Sequence, residues 1–140
     1  MILGIGVLAA NLAAAGWGAA TWLRKEPRMS IAFWPLLRVA QAVVAVQVVL
    51  GLLLVARGET APDGLHIAYG IAPLVISLVS EGMRVGVAQR ELEDVDDLDA
   101  LDRSEQIALA RRVALAEVGV MTVGALLILT LSLRAFQTGG

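Results

Sequence analysis

Four charged residues lie inside otherwise apolar stretches of this 140-residue sequence: Arg38, Glu81, Arg84 and Glu117. An unpaired charge at mid-bilayer costs at least ~2.5–3.5 kcal/mol on insertion scales, so each charge is expected to find a partner of opposite sign. All four lie at a similar distance from the same end of their stretches. The sequence therefore predicts one intramembrane charge cluster. Its function would be a proton or ion relay, a polar ligand site or, as the balanced charges favour, a structural network that fixes helix register.

A second group of residues has the chemistry to hold a cofactor. His66 is the only histidine of the chain, and Gly70, one helical turn later, would leave room beside it for a macrocycle. With Tyr69 and Gln47, His66 is predicted to form a haem or quinone site. The alternative is that His66 caps or lines the outer membrane interface. One histidine and no cysteine exclude His-rich and thiolate metal sites within one chain. No metal site and no catalytic residues are predicted.

Apolar stretches at about 2–23, 31–56, 65–88 and 113–135 would position these residues. Hydrophobic residues make up 58% of the chain, above the ~45–50% of an average soluble domain. Each stretch has about the ~20 residues that cross a bilayer as a helix, and helices satisfy their own backbone hydrogen bonds in lipid. Short connections favour antiparallel neighbours. The predicted fold class is all-α: one domain, an integral membrane four-helix up-and-down bundle.

The basic residues predict the orientation of this bundle. Nine of the eleven fall on the side of the first and third connections, and only Arg57 and Arg134 fall on the other side. The positive-inside rule then places those two connections in the cytoplasm and both termini outside. The second connection would turn outside the membrane at residues 62–64, which read Pro-Asp-Gly.

Two helices carry polar or small residues along one face. Those faces should contact protein, because lipid would leave polar groups unpaired and small residues allow close helix approach. On the third helix the face comprises His66, Tyr69, Gly70, Pro73, Ser77, Glu81 and Arg84, and on the first helix it comprises Gly4, Asn11, Ala14, Ala15 and Gly18.

The predicted cytoplasmic loop 89–112 is acidic, and its stretch Glu91–Asp102 has seven acids and no base. Within it, Leu92, Val95, Leu98 and Leu101 recur every three residues. This spacing predicts a short amphipathic helix that docks on a basic protein surface, because the acids would repel anionic lipid. The alternative is a solvated loop. Asp102 and Glu105 have the spacing of a capping box, which predicts that the fourth helix starts before the membrane.

One segment resembles a known family. Gln47-Val-Val-Leu-Gly51, followed by Val55, Gly58 and Leu65-His66, resembles haem A synthase-like and related b-type membrane proteins. The resemblance covers about 24 residues, 47–70, and implies that His66 ligates haem b. That family uses a second histidine on another helix, so here the second ligand would come from another copy or subunit. The whole chain also resembles small four-span proteins of high-GC bacteria, which implies a multi-pass protein of the bacterial inner (plasma) membrane.

Three functions follow as hypotheses. The first is a non-enzymatic accessory or scaffolding subunit of a larger membrane complex, respiratory or otherwise engaged in electron transfer. It would have the lipid bilayer and other membrane subunits, or copies of itself, as partners, would bind no nucleic acid and would need no cofactor. The second is a haem- or quinone-binding electron carrier that uses His66. The third is a small proton-coupled transporter that uses the charge cluster.

Overall fold

The structure is a computed structural model that describes residues 2–60 and 64–138, except for the side chains at 65, 66 and 138. Within these ranges the chain forms four helices and no strand. Single 3-10 turns occupy Pro27–Met29, before the second helix, and Leu98–Ala100, before the fourth. The helices are α1 (Ile2–Arg24), α2 (Ser30–Ala56), α3 (Gly64–Leu92) and α4 (Arg103–Thr138).

Each of the four helices is long and apolar enough to cross a membrane. The all-α prediction is confirmed for the described residues, and the four helices have the length and composition of membrane spans. α3 and α4 continue past their predicted apolar spans, so the connection predicted at 89–112 shortens to residues 93–102. The predicted turn at residues 62–64 falls mainly outside the described residues.

Contacts between the helices define an up-and-down bundle. Arg84 of α3 pairs with Glu117 near the start of α4, and Arg134 near the end of α4 donates to Tyr69 near the start of α3. These contacts make α3 and α4 antiparallel. α1 packs against both α2 and α4, which closes the ring. We name the end with the α1–α2 and α3–α4 connections the charged end, and the end with the α2–α3 connection the open end.

The core consists of three apolar layers along the bundle axis. The small-residue face predicted for α1 is buried at Asn11, Ala14, Ala15 and Gly18, where it contacts α2 and α4. A Cβ on Gly18 would lie 2.6 Å from Cε2 of Phe33 and would also overlap the Thr122 hydroxyl. This close approach requires glycine. From the charged end, the layers are Phe33, Leu37, Val118 and Met121; Ala14, Ala15, Ala40 and Ala125; and Val7, Val44 and Ile128.

The two halves of α2 pack differently. Phe33, Leu37, Ala40 and Val44 are buried along its first half. From residue 45 onwards no residue of α2 is buried, and residues 49–56 are all exposed. In a bilayer, lipid or another protein would cover this apolar surface.

Hydrogen bonds at the charged end join α4 to the α1–α2 connection and cap the start of α4. Arg111 of α4 donates to the backbone carbonyl of Lys25, which has a left-handed φ of 51°. The predicted capping box is confirmed: the Asp102 carboxylate accepts from the backbone N–H of Glu105, and the Glu105 carboxylate accepts from that of Asp102. These bonds satisfy N–H groups that a helix start leaves without intrahelical partners.

Candidate functional site

The structure brings the four predicted charged residues into one continuous chain of ion pairs. Arg38 Nη1 donates to Oε1 of Glu81, which joins α2 to α3. Arg84 Nε donates to the other oxygen of Glu81 at 2.8 Å, and Arg84 Nη1 donates to Oε1 of Glu117 at 2.8 Å. Two positive and two negative charges therefore alternate across three helices.

Two further residues complete this ion-pair chain. Gln41 donates to Glu81 Oε1 at 3.0 Å and accepts from Arg38 at 2.6 Å. The ring of Trp34 lies against both arginines, with the guanidinium carbons of Arg38 and Arg84 at 6.0 and 5.5 Å from its centroid. Trp34 is a residue of this site that the sequence analysis does not identify. Trp34 precedes Arg38 by four residues on α2. Residues four apart meet on one helix face, so this spacing predicts the contact between them.

Exposure decreases along the ion-pair chain from α2 towards α4. The Arg38 side chain is 54% exposed, whereas those of Glu81, Arg84 and Glu117 are 20–27% exposed. Each carboxylate receives a guanidinium donor. Charge-assisted pairs of this kind are geometrically specific, so the arrangement is suited to hold α2, α3 and α4 in register.

A cleft separates α2 from α3 at the open end. It has a volume of about 260 Å³, and its walls include Gln47, Gly51, Gly70 and Ile71. Oε1 of Gln47 is buried and accepts no hydrogen bond from the described part of the chain. The walls are mainly apolar, with Gln47, Glu59 and Thr60 as their polar residues.

Of the two predicted cofactor residues whose side chains are described, Gln47 lines this cleft and Tyr69 does not. The Tyr69 hydroxyl instead accepts from Arg134 on α4 at 3.2 Å. The physical reason is helical geometry: consecutive residues do not share a face, so Gly70 faces the cleft while Tyr69 faces α4. The His66 side chain lies outside the described residues.

The residues around the cleft provide a test of fit for haem. They supply the amide of Gln47, the carboxylate of Glu59 and the hydroxyl of Thr60. Haem in electron carriers takes axial ligands such as histidine or methionine, and the described walls contribute neither. Haem does not fit the described residues alone. It would depend on His66 together with a ligand from outside this chain.

A groove lies beside the acidic connection at the charged end. It has a volume of about 530 Å³ and is lined mainly by Leu92, Leu98 and residues on one face of early α4. Of the four predicted docking residues, Leu92 and Leu98 line the groove and are 39% and 51% exposed. Val95 and Leu101 do not line it and are half-buried.

The predicted amphipathic helix in this connection is wrong. Between α3 and α4 the chain forms a turn and the 3-10 segment Leu98–Ala100. The Asp97 carboxylate accepts from the backbone N–H of Asp99, a local bond that competes with helix formation. Neighbouring carboxylates would also repel one another in a helix.

In comparisons with family models, curated proteins and solved structures, none matches this chain.

Proposed function

We propose that this protein is a non-catalytic accessory or scaffolding subunit of a larger membrane complex, in a respiratory or other electron-transfer assembly. It crosses the bacterial inner membrane four times, with the charged end in the cytoplasm and both termini outside. The excess of basic residues at the charged end supports this orientation.

The groove at the acidic connection carries the proposal. Exposed apolar side chains within the predicted spans are accounted for by lipid, but Leu92 and Leu98 lie beyond those spans and line the groove. In the proposed orientation their exposed surface faces water or the lipid headgroups. An apolar groove in such a place typically marks an interaction site.

The charge around the groove limits what can fill it. Asp96, Asp97 and Asp99 are exposed beside Leu98, and the described ion pairs neutralise none of them. Anionic headgroups on the cytoplasmic surface would be repelled. A basic segment with apolar side chains complements both the charge and the shape of the groove, and complementary charge also accelerates association.

The ion-pair chain supports a structural rather than catalytic role. Its carboxylates all carry guanidinium partners, and it joins three helices, although Glu117 also lines the groove. The exposed second half of α2 offers a further surface for other membrane subunits.

The test is isolation of the tagged full-length protein from its native membranes in mild detergent, with quantitative mass spectrometry of the associated subunits. Leu98→Asp places a charge in the groove and should remove most of the stoichiometric partner. Ile107→Asp is the matched control. Ile107 is 61% exposed on the early part of α4, whose other face lines the groove, but Ile107 itself does not line it. This variant should retain the partner.

Two results would overturn the proposal. One is an unchanged subunit composition after Leu98→Asp. The other is a partner lost equally from both variants, which would indicate damage to the fold. Replacing the three exposed aspartates by asparagine should also release the partner, and raising the salt concentration should reproduce that release.

Two alternatives have their own measurements. A haem carrier would show a Soret band with sharp reduced α and β bands, lost on His66→Ala. A proton-coupled transporter would lose flux on Glu117→Gln while keeping its assembly, whereas a scaffold has no flux to lose.

A further inference from the structure

We propose that one side of the charged end binds the headgroup of an anionic phospholipid. This surface, which we name the cationic surface, consists of Arg24, Lys25 and Arg28 around the α1–α2 connection and Arg111 of α4. It shares no residue with the groove at the acidic connection. The inference is therefore independent of the proposed accessory function.

The first observation is the way in which α4 divides the charged end. Arg111 Nη2 donates to the carbonyl of Lys25 at 2.6 Å, which holds α4 against the α1–α2 connection. Arg112, the next residue, donates instead to Glu91 at the end of α3. Consecutive helix residues point about 100° apart. The cationic surface and the acidic connection therefore lie on different sides of α4.

The second observation is the absence of anionic partners for the cationic surface. Its four side chains are exposed, and none forms an ion pair with the described residues, unlike Arg38, Arg84 and Arg112. Glu26 lies among the four cations, but its carboxylate accepts from the backbone N–H of Arg28. Four cations and one acid leave a net charge of +3. Concentrated charge of one sign attracts ligands of the opposite sign.

The third observation is the apolar border of the cationic surface. Leu23 precedes the cations and Ile31 follows them, and these two residues are 72% and 76% exposed. Trp22 is 54% exposed and lies against Gly119 of α4, where a Cβ would be 3.1 Å from its Nε1. Tryptophan at the end of a membrane-spanning helix favours the headgroup level. In a bilayer the cations would therefore lie beside lipid phosphates, and the apolar border beside acyl chains.

An anionic phospholipid complements both parts of this surface. Its phosphate accepts hydrogen bonds from lysine and arginine, and its acyl chains cover Leu23 and Ile31. Free phosphate would gain nothing from the apolar border, and an acidic soluble segment would have to enter the headgroup layer to reach it. Basic segments beside membrane-spanning helices attract anionic lipids in this way. The acidic connection repels the same lipids, so we expect binding only on the α1 side of α4.

The experiment counts the lipids bound to the full-length protein by native mass spectrometry in a mild non-ionic detergent. The probes are dioleoylphosphatidylglycerol and dioleoylphosphatidylcholine, which have the same acyl chains and differ in headgroup charge. Phosphatidylglycerol should bind saturably and at least about fivefold more tightly, because each cation near an anionic lipid contributes a factor of about five. A higher ammonium acetate concentration should weaken this binding.

Arg111→Gln and Arg112→Gln form a matched pair on α4. Each removes one positive charge from an exposed side chain, but only Arg111 belongs to the cationic surface. Arg111→Gln should weaken phosphatidylglycerol binding about fivefold, and Arg112→Gln should leave it nearly unchanged. Arg111→Lys keeps the charge and should restore most of the affinity.

Lys25→Asn separates a loss of charge from damage to the fold. It keeps the backbone carbonyl that Arg111 binds, and asparagine tolerates the left-handed φ of 51° at this position. This variant should also weaken phosphatidylglycerol binding about fivefold, with an unchanged unfolding transition in SDS.

Several results would overturn the inference. Equal binding of the two lipids would exclude recognition of headgroup charge. Equal weakening in Arg111→Gln and Arg112→Gln would indicate a response to net charge instead of a local site. Displacement of phosphatidylglycerol by an equal concentration of inorganic phosphate would identify a free anion as the ligand. Unchanged lipid binding in Lys25→Asn, together with loss of an acidic subunit from the complex isolated from native membranes, would identify a protein as the occupant.

Discussion

The two ends of the α2–α3 pair solve the problem of polar groups in an apolar bundle in different ways. At the charged end, Arg38 and Gln41 of α2 bind Glu81 of α3, and the helices are held together. At the open end, Gln47 of α2 has a buried oxygen with no partner among the described residues, and the helices are separated by a cleft. The polar groups at the charged end are satisfied across the helix pair, whereas the open end leaves one acceptor without a partner among the described residues.

The largest expected effect comes from removing the central carboxylate. Glu81→Leu leaves Arg38 and Arg84 facing each other without the acid between them, and breaking such a pair should lower the free energy of unfolding by about 3 kcal/mol. Titration with SDS in mixed micelles measures this. Gln47→Leu, the same replacement type at the open end, should be neutral or slightly stabilising because it removes an unpaired group. Equal losses of unfolding free energy in the two variants would contradict this difference between the charged end and the open end.

Adding a methyl group to a glycine should again change the stability differently at the two ends of the bundle, by a smaller amount. Gly18→Ala would overlap Phe33 and Thr122 at the charged end, and overpacking typically costs about 1–3 kcal/mol. Gly70→Ala meets open space at the open end and should not lower stability. The same unfolding titration compares them, and a Gly70→Ala loss as large as that of Gly18→Ala would show that the cleft is closed in solution.

The start of α4 should respond to pH locally. Hydrogen bonds from Ser104 and the Glu105 backbone hold the pKa of Asp102 below its ordinary value of 3.8. A lowered folded-state pKa means that the cap stabilises the helix above that value and is lost as the pH falls through the folded-state pKa. The protection of the amides at residues 103–106, measured against their intrinsic exchange rates at the same pH, should fall at acid pH, and Asp102→Ala should produce the same loss of protection at pH 7. Absence of protection at pH 7 in the unaltered protein would contradict this prediction.

The smallest effect belongs to the outermost ion pair. Arg112 Nε donates to Glu91 at 3.2 Å, and the Arg112 side chain is 58% exposed. An exposed pair is worth about 0.2–1 kcal/mol, so Glu91→Leu should lower stability by roughly 0.5 kcal/mol, an effect that high salt screens. A loss equal to that of Glu81→Leu would show that depth does not determine the strength of these pairs.

The sequence was sufficient to predict the four-helix architecture and the meeting of the four charges. Helical rise converts position along an apolar span into depth, so Arg38 and Glu81 could be placed at one level. The cleft could not be predicted, because the separation of α2 from α3 depends on packing along their whole length. The contact of Tyr69 with Arg134 could not be predicted, because the direction of its side chain depends on which helix α3 faces. The spacing of Leu92 to Leu101 predicted a helix that local aspartate hydrogen bonds prevent.

The order of residues in the ion-pair chain determines when its ion pairs can form during synthesis. Arg38 precedes its partner Glu81 by 43 residues. At about 5–20 residues per second, the ribosome needs roughly 2–9 s to deliver that partner. During this interval Arg38 can reach water only by extending its long side chain to the membrane surface. The second helix is therefore expected to be held at the insertion machinery until the third arrives, which makes α2 and α3 a unit of insertion.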